Sequence, residues 1–285
     1  MAALLALAFL APATTAAADA QQRPQRIVSM NLCTDELLMR IVDPSRIASI
    51  TYLSRQPLNA PLGLNDTIAK IKVNHGLAEE VLMSKPDLIV TGSFSTMAAT
   101  SLLRGLGQNI VTFDPEADFD DMRANIRKMG EAVGEPERAE QVIAEFDARL
   151  AELQAQLPPG EKPVFADIGV NNFMSGRDTL FAHVVNAGGW RTLGETLGYT
   201  GYTNIPLEQL LRTKPDLVST ATPWANPPSM STQNLRHPAL RDLVADTPHI
   251  AIPERYTTCG APSVLGAVEL LVEARKAHAQ RIAKQ

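Results

Sequence analysis

Two cysteines and a histidine are the residues of this sequence whose types could do chemistry together. Cys33 follows the first apolar, strand-like run, Cys259 follows the last one, and His75 stands between Asn74 and Gly76. In an oxidising compartment, two cysteines are expected to form a disulfide. Alternatively, two thiolates and an imidazole would bind a soft metal ion or its complex. In a third interpretation the two cysteines are unconnected, and the sequence leaves all three open.

Motifs of common enzymes do not account for the chain. It has no phosphate-binding G-x-x-x-x-G-K loop, no G-x-S-x-G nucleophile motif and no H-E-x-x-H pair. The G-L-G at 105–107 lacks a third glycine and closes a predicted helix. Asp35 and Glu36 follow Thr34 at a predicted helix start, where we expect them to act as capping and dipole partners. We therefore expect a protein that is not an enzyme and requires no cofactor.

The composition indicates a globular protein with a sizeable core. Of 285 residues, 45% are apolar, and 26 Lys and Arg against 31 Asp and Glu give a net charge of -5. This mild acidity argues against nucleic acid as a partner, because phosphate binding needs a basic surface. Two cysteines are too few for a disulfide scaffold or a four-thiolate zinc module.

Residues 1–20 are typical of a signal peptide. An apolar run of ten, AALLALAFLA at 2–11, is too short to span a bilayer, and Ala18-Asp19-Ala20 supplies a cleavage site. The run has no Lys or Arg before it, which departs from the usual pattern and leaves the true start codon open. We expect export to the periplasm, and no later segment is apolar enough to cross a membrane.

Short β-branched runs alternate with helix-length segments along the whole chain. The runs lie at 27–30, 47–50, 88–91 and 110–113, and then at 164–168, 217–220 and 249–252. They carry apolar residues on both faces, which is typical of parallel strands covered by helices on both sides of the sheet. The sequence thus predicts an α/β fold with mostly parallel sheets.

One twelve-residue unit occurs twice. Residues 79–90, EEVLMSKPDLIV, match residues 208–219, EQLLRTKPDLVS, at a separation of 129 residues. Each unit reads as a short helix that a Lys-Pro-Asp turn stops directly before a strand, because proline cannot continue a helix. A spacing of about one domain predicts two similar, Rossmann-like lobes.

A helical stretch separates the two sets of strands. Apolar residues at intervals of three and four run from Phe119 to Val133, and a second series runs from Pro136 to Leu157 before Pro158-Pro159-Gly160. A helix makes a stiff connector. We therefore expect an N-terminal lobe at 21–118, a long connecting helical segment at 119–160 and a C-terminal lobe at 161–285.

These features together resemble the class III periplasmic substrate-binding proteins of ABC importers, which capture vitamin B12, iron-siderophores and haem. The resemblance is carried by RIVS at 26–29, TDELL at 34–38, VF at 164–165, NFMSG at 172–176 and the doubled Lys-Pro-Asp unit. It implies a monomer that binds a metal chelate or macrocycle, such as an iron-siderophore, haem or corrinoid, in a preformed cleft between the lobes. A periplasmic metal-binding or redox enzyme or sensor that uses the two cysteines and His75 is the alternative.

The resemblance also implies a partner. Members of the family deliver their ligand to an ABC permease dimer in the inner membrane, and one surface glutamate in each lobe docks into arginine pockets of that dimer. The Lys-Pro-Asp turns place these glutamates at Glu79 and Glu208. Ordinary solvated helix charges remain the alternative interpretation of both.

Aligned with the family, several residues fall on the cleft. Three aromatic residues, Tyr52, Phe173 and Tyr202, match ring positions of the B12 binder, whereas Asn74 and Gly92 replace two other rings and make B12 itself doubtful. The implied ligand-binding set is Cys33, Tyr52, Arg55, Asn74, His75, Phe173, Arg177, Tyr202, Arg255 and Cys259. The arginines would bind carboxylate or catecholate oxygens. The alignment places Cys33 and Cys259 on cleft loops of opposite lobes, with His75 at a third cleft position. The two cysteines would form a disulfide there, or all three residues would act as metal ligands.

Overall fold

The structure, a computed structural model, describes residues 23–56, 59, 64–220 and 237–284. The predicted signal peptide at 1–20 lies outside these residues. Within the described part of the chain, none of the helices combines the length and the apolar character needed to span a bilayer.

The N-terminal sheet has five parallel strands in the order β3-β2-β1-β4-β5. The strands are β1 (Ile27–Ser29), β2 (Ile47–Thr51), β3 (Val73–Asn74), β4 (Leu88–Gly92) and β5 (Ile110–Phe113). Both faces are covered, because alternate residues enter different cores: Ile27 and Leu88 join the largest apolar cluster, whereas Val28 and Ile89 join another. The helices that follow these strands are α1 (Leu32–Ile41), α2 (Asn65–Lys70), α3 (Ala78–Met83) and α4 (Met97–Gly105).

The C-terminal part has a parallel sheet in the order β10-β6-β8 and an antiparallel hairpin of β7 and β9. The strands are β6 (Val164–Ile168), β7 (Phe173–Ser175), β8 (Arg191–Thr192), β9 (Tyr202–Asn204) and β10 (Leu217–Thr220). The helices are α7 (Leu180–Ala187), α8 (Leu193–Thr196), α9 (Leu207–Leu211), α10 (Pro238–Asp246) and α11 (Leu265–Ile282). The predicted α/β fold with mostly parallel sheets is confirmed.

The strand predicted at 249–252 is reduced to a single bridge between His249 and Val218. Val218 donates its N–H to the carbonyl of Pro248, and Ile250 donates to the carbonyl of Val218. Pro248 and Pro253 flank the segment, and proline has no N–H to extend a ladder. The prediction of a full strand is therefore wrong.

The repeated Lys-Pro-Asp turn has a clear structural role in both halves of the chain. Asp87 accepts hydrogen bonds from the backbone N–H groups of Gln25 (2.6 Å) and Arg26 (3.0 Å), directly before β1. Asp216 accepts from the N–H of Val164 (2.8 Å), the first residue of β6. Each turn thus fixes the entrance of the neighbouring strand, which explains why the unit occurs once in each half.

Two packed helices connect the sheets, α5 (Phe119–Val133) and α6 (Pro136–Gln154). Asp118 caps α5 by accepting from the N–H groups of Asp120 and Asp121. Gly134 ends α5 with a φ of 72°, a conformation that favours glycine. At 1.5 Å per residue, α6 is about 28 Å long. We propose the division expected from the sequence, with lobes at 21–118 and 161–285 and this helical segment at 119–160 between them.

The start of α1 corrects one expectation. Asn31, rather than an acidic residue, caps the helix, because its Oδ1 accepts from the N–H groups of Cys33 (2.8 Å) and Thr34 (3.2 Å). Asp35 and Glu36 are both buried. The prediction that they cap the helix is therefore wrong, whereas Asp35 does lie in the first turn of α1, where the helix dipole favours a carboxylate.

Glu36 joins the two lobes. Its carboxylate pairs with Arg40 at 2.7 Å and accepts hydrogen bonds from the backbone N–H (3.2 Å) and hydroxyl (2.9 Å) of Ser263. Ser263 lies 227 residues further along the chain, just before α11. A buried carboxylate with three donors around it is costly to separate from them, so α1 is firmly attached to the C-terminal lobe.

Candidate functional site

A disulfide joins the two lobes beside Glu36. Cys33, the second residue of α1, is bonded to Cys259, with 5.1 Å between the two Cα atoms. Of the three interpretations of these cysteines, the structure supports the first. Both sulfurs are occupied by the disulfide, so neither can act as a thiolate ligand.

The metal set of Cys33, Cys259 and His75 is therefore a wrong prediction. Apart from the lost thiolates, His75 is paired elsewhere, with Glu80. Across the described ranges, no group of three or more His, Cys, Asp and Glu side chains is arranged to hold a metal ion. The metal-binding form of the alternative loses its basis with this set.

A first cavity, of about 190 Å³, lies at the ends of the N-terminal strands β1, β4 and β5. Its floor includes Cys33, at the start of α1, and Gly92, the last residue of β4. A Cβ on Gly92 would lie 3.0 Å from both the Asn31 amide and the Ser95 hydroxyl, so a larger residue here would require these side chains to shift. The lining residues are Asn31, Cys33, Thr34, Leu37, Gly92, Ser93, Phe94, Ser95, Phe113, Asp114, Pro115, Glu116 and Thr258.

A second cavity, of about 230 Å³, lies at the ends of the C-terminal strands β6 and β10. Its lining residues are Asp167, Ile168, Gly169, Phe173, Ser175, Phe181, Tyr202, Ser219, Ile252, Glu254 and Thr257. Because Thr257 lines this cavity and Thr258 lines the first, the two are neighbours. We call the two cavities and the segment Thr257–Cys259 between them the cleft. A cleft beyond the carboxyl ends of parallel strands is where open α/β sheets bind their ligands.

Phe173 and Tyr202 form a stacked pair in the second cavity. Their ring centroids are 5.4 Å apart and the ring planes differ by 11°. In the β7–β9 register Tyr202 is opposite Ser175, so Phe173 is its diagonal neighbour on the same face of the hairpin. The rings are 41% and 55% exposed, which leaves aromatic surface available for a ligand.

A second stacked pair, Tyr52 and His75, lies on the N-terminal lobe, with ring centroids 4.8 Å apart. Glu80 holds His75 through two contacts, the backbone N–H to Oε2 (2.6 Å) and the ring Nδ1 to Oε1 (3.1 Å). The hydrogen bond from the His75 backbone is the main reason that the pKa of Glu80 is lowered. Neither ring lines the two cavities.

Asn74, another predicted ligand residue, is buried between strands. Its amide donates to the carbonyls of Ser29 and Ile50 and to the Ser49 hydroxyl, and its oxygen accepts from the N–H of Gly76. The side chain therefore holds β3 to the rest of the sheet and has no group left for a ligand.

The three predicted arginines are engaged outside the cavities. Arg55 donates to the carbonyl of Ile71 at 2.7 Å, Arg177 lies within 3.5 Å of the Thr200 hydroxyl, and Arg255 lies 5.1 Å from the Tyr256 ring centre. Among the described lining residues of either cavity there is no arginine. Their role as ligand contacts stays a prediction.

Asp167, which lines the second cavity, was missed as a site residue by the sequence reasoning, and it shares a raised pKa with Asp35, which lines neither cavity. Burial raises the pKa of Asp35 to about 7, although hydrogen bonds from Thr51 and Ser54 favour its charged form. Burial likewise raises the pKa of Asp167 to about 7, against hydrogen bonds from Ser175. A charged residue inside the apolar run at 164–168 was the available signal for Asp167.

Two further groups in the cleft have shifted pKa values. Burial, followed by the nearby charge of Asp167, raises the pKa of Tyr202. Burial also raises the pKa of Glu116 in the first cavity, although a hydrogen bond from Asn125 lowers it in part. Both shifts arise because the cleft is poorly solvated, which strengthens polar interactions made inside it.

Glu79 and Glu208 occupy matching positions in the two lobes. Each is exposed and lies in the first turn of a short helix, α3 or α9, directly before a Lys-Pro-Asp turn. A carboxylate is favourable there because of the helix dipole, so the local structure alone accounts for both residues. Their docking role stays a prediction.

The two lobes, the helical connector and the cleft define the class of two-lobed ligand-binding proteins. More specifically, the chain belongs to the periplasmic binding protein family, whose model matches residues 27–245. The resemblance noted from the sequence is thereby confirmed. This is a family of binding proteins and not of enzymes, and the predicted periplasmic location agrees with it.

Solved structures with this fold include binders of several ligands. A possible iron-binding, periplasmic solute-binding protein from Staphylococcus epidermidis has a TM-score of 0.73 at 16% identity, covering 88% of this chain and 98% of its own. The haem-binding protein RhuT from Roseiflexus scores 0.71 at 18% identity, with 90% and 99% covered. The vitamin B12 binder BtuF of Vibrio cholerae scores 0.63 at 18% identity, with 90% and 98% covered. At these identities the likeness shows the fold.

A relative by sequence is an uncharacterized ABC transporter substrate-binding lipoprotein, YvrC, of Bacillus subtilis. It is 22% identical over 209 residues, which are 70% of this chain and 64% of that protein. The match thus spans less than two thirds of the relative's length.

Proposed function

We propose that this protein is the solute-binding component of an ABC importer and captures a metal chelate or macrocycle in its cleft. The observation that carries the proposal is the stacked, half-exposed pair of Phe173 and Tyr202 inside the second cavity. Family membership and the relative described as an ABC transporter substrate-binding lipoprotein support the transport role. Structural neighbours described as binders of haem, B12 and iron support this class of ligand.

Exposed rings in a cavity favour a flat ligand. Large aromatic side chains gain free energy by burial, and stacking adds about 1 kcal/mol for each well-placed pair. In the free protein Phe173 and Tyr202 realise only part of this gain, since both stay half exposed. A planar macrocycle or chelate face would cover this surface, whereas a small polar solute would not.

Tyr52 and His75 form a stacked pair on the N-terminal lobe outside the two cavities, so in this proposal they would contact only a part of the ligand that extends beyond the cleft. In this proposal Cys33 and Cys259 contribute to ligand binding as a disulfide, which forms part of the wall between the two cavities.

The ligand class is tested with protein purified without refolding. We expect native mass spectrometry to show a bound species or, for an empty protein, absorption titrations with haemin, dicyanocobinamide and a ferric tricatecholate to show saturable binding by at least one of them. A Phe173→Ala, Tyr202→Ala variant should lose most of this affinity. Absence of binding by all three probes to a folded protein would reject a chelate as ligand.

We also propose that Glu79 and Glu208 dock the loaded protein onto its permease. Because each glutamate is exposed and outside the cleft, Glu79→Ala with Glu208→Ala should leave ligand affinity unchanged and lower uptake several-fold. The measurement is uptake of labelled ligand by cells that depend on this protein. The matched control is Glu131→Ala with Glu137→Ala, two exposed glutamates of α5 and α6. Equal uptake by both double variants would refute the docking role, and lost ligand affinity would show that these residues serve the site.

A further inference from the structure

The charged side chains that line the cleft have one sign. Asp114 and Glu116 line the first cavity, and Asp167 and Glu254 line the second. No lysine or arginine is among the lining residues in the part of the chain that the structure describes. The sequence segments 57–58, 60–63 and 221–236, which are not described, contain a single charged residue, Arg236. The described cleft is therefore an acidic environment for its ligand.

Asp167, which lines the second cavity, has a carboxylate oxygen without a hydrogen-bond partner. Its Oδ2 accepts hydrogen bonds from the backbone N–H (3.0 Å) and the hydroxyl (2.7 Å) of Ser175. Its Oδ1 is buried and has no hydrogen-bond partner. A buried, unsatisfied carboxylate oxygen costs about 1–3 kcal/mol, and a ligand that displaced the neighbouring groups and donated a hydrogen bond there would recover this cost.

The same cavity holds the stacked rings of Phe173 and Tyr202. It therefore combines an aromatic surface that can stack on the face of a flat ligand with an acceptor for a donor on the edge of that ligand. Asp35 provides an internal comparison. Its Oδ2 is also bonded, by Thr51 and Ser54, and its Oδ1 is also buried without a partner. Asp35, however, lines neither cavity, so of these two aspartates Asp167 is the one placed to meet a ligand.

On the basis of the proposed function, we infer that the cleft selects chelates whose rim carries hydrogen-bond donors or positive charge, and that Asp167 is the residue that recognises them. Chelates with a carboxylate rim or with anionic catecholates are disfavoured. Their oxygens would meet Asp167, Glu254 and Glu116 without a lining cation to compensate, and such like-charge contacts discriminate strongly between ligands.

The test compares two macrocycles of similar shape and opposite rim chemistry. Dicyanocobinamide carries primary amides on its rim, and haemin carries propionates. At pH 8, above the pKa of about 7 for Asp167, the wild type should bind the amide probe at least about tenfold more tightly than haemin. Asp167→Asn places an NH₂ donor where Oδ1 was and removes a charge, so it should shift the ratio of the two dissociation constants by about tenfold toward haemin.

Asp35→Asn is the matched control, since it makes the same chemical change at a buried site outside the cavities and should leave the ratio unchanged. A wild type that prefers haemin would overturn the inference, and so would an Asp167→Asn variant with an unaltered ratio. In either case binding itself would still support the proposed function. If neither macrocycle nor the ferric tricatecholate binds, the proposed function fails, and this inference fails with it. The wild-type ratio remains decisive even if the Asp167 variant does not fold.

Discussion

Removing the disulfide through Cys33→Ser with Cys259→Ser is expected to lower the free energy of unfolding by about 3–5 kcal/mol. The bond joins residues 226 positions apart, so it restricts the unfolded chain through a very long loop. The chain-entropy estimate for such a loop is about 5 kcal/mol, and native disulfides typically contribute about 2–4 kcal/mol. Replacing both cysteines avoids a free thiol beside the cleft.

Urea unfolding of the wild type, with and without reductant, measures this effect. Reductant should destabilise the wild type to the level of the double variant and should leave the double variant unchanged. Intact-mass analysis provides the chemical check, since the oxidised protein is two hydrogens lighter than the reduced one. Two free thiols in freshly purified periplasmic protein, with no response to reductant, would contradict the assignment.

Stability should also depend on pH through Asp35, whose pKa rises from 3.8 to about 7 on folding because it is buried. A raised carboxyl pKa means that the folded protein binds the proton more tightly than the unfolded chain. The contribution of Asp35 is therefore fully present below pH 3.8 and is lost as the pH rises toward 7. With 1.36 kcal/mol per pKa unit, the loss is on the order of 4 kcal/mol.

Asp35→Asn isolates this contribution from the other carboxyl groups. Asparagine does not titrate but keeps an oxygen for Thr51 and Ser54, so the stability of the wild type relative to the variant should fall between pH 4 and pH 7. Denaturant unfolding at several pH values in this range measures the difference. A constant difference between the two proteins across the range would show that Asp35 does not change its protonation state there.

Most of the fold could be predicted because its signals are local. The runs at 110–113 and 164–168 coincide with β5 and β6, since buried parallel strands are apolar on both faces. The Lys-Pro-Asp units were found from proline chemistry alone. The strand predicted at 249–252 was wrong because an apolar pattern carries no information about which strands are available for pairing. The flanking prolines limit the pairing of this segment to one bridge.

The site was less predictable, since it depends on contacts between distant residues. The aromatic positions Phe173 and Tyr202 came from the family resemblance, and the structure brings them together in the second cavity. The same resemblance gave no information on where the side chain of Arg55 would find its carbonyl partner. Asp167 resembled an ordinary strand residue, because its unsatisfied oxygen exists only once Ser175 has bound the other one.

The attachment of α1 to the opposite lobe has a consequence for how cargo leaves. Cys33 is held covalently and Glu36 is held by Ser263, one helical turn further along. Because both attachments lie on one helix, the two lobes cannot open by a hinge motion unless α1 or the segment 259–263 changes its conformation. We therefore expect the ligand to leave the cleft by a local rearrangement around Thr257 and Thr258, while the two lobes keep their relative position.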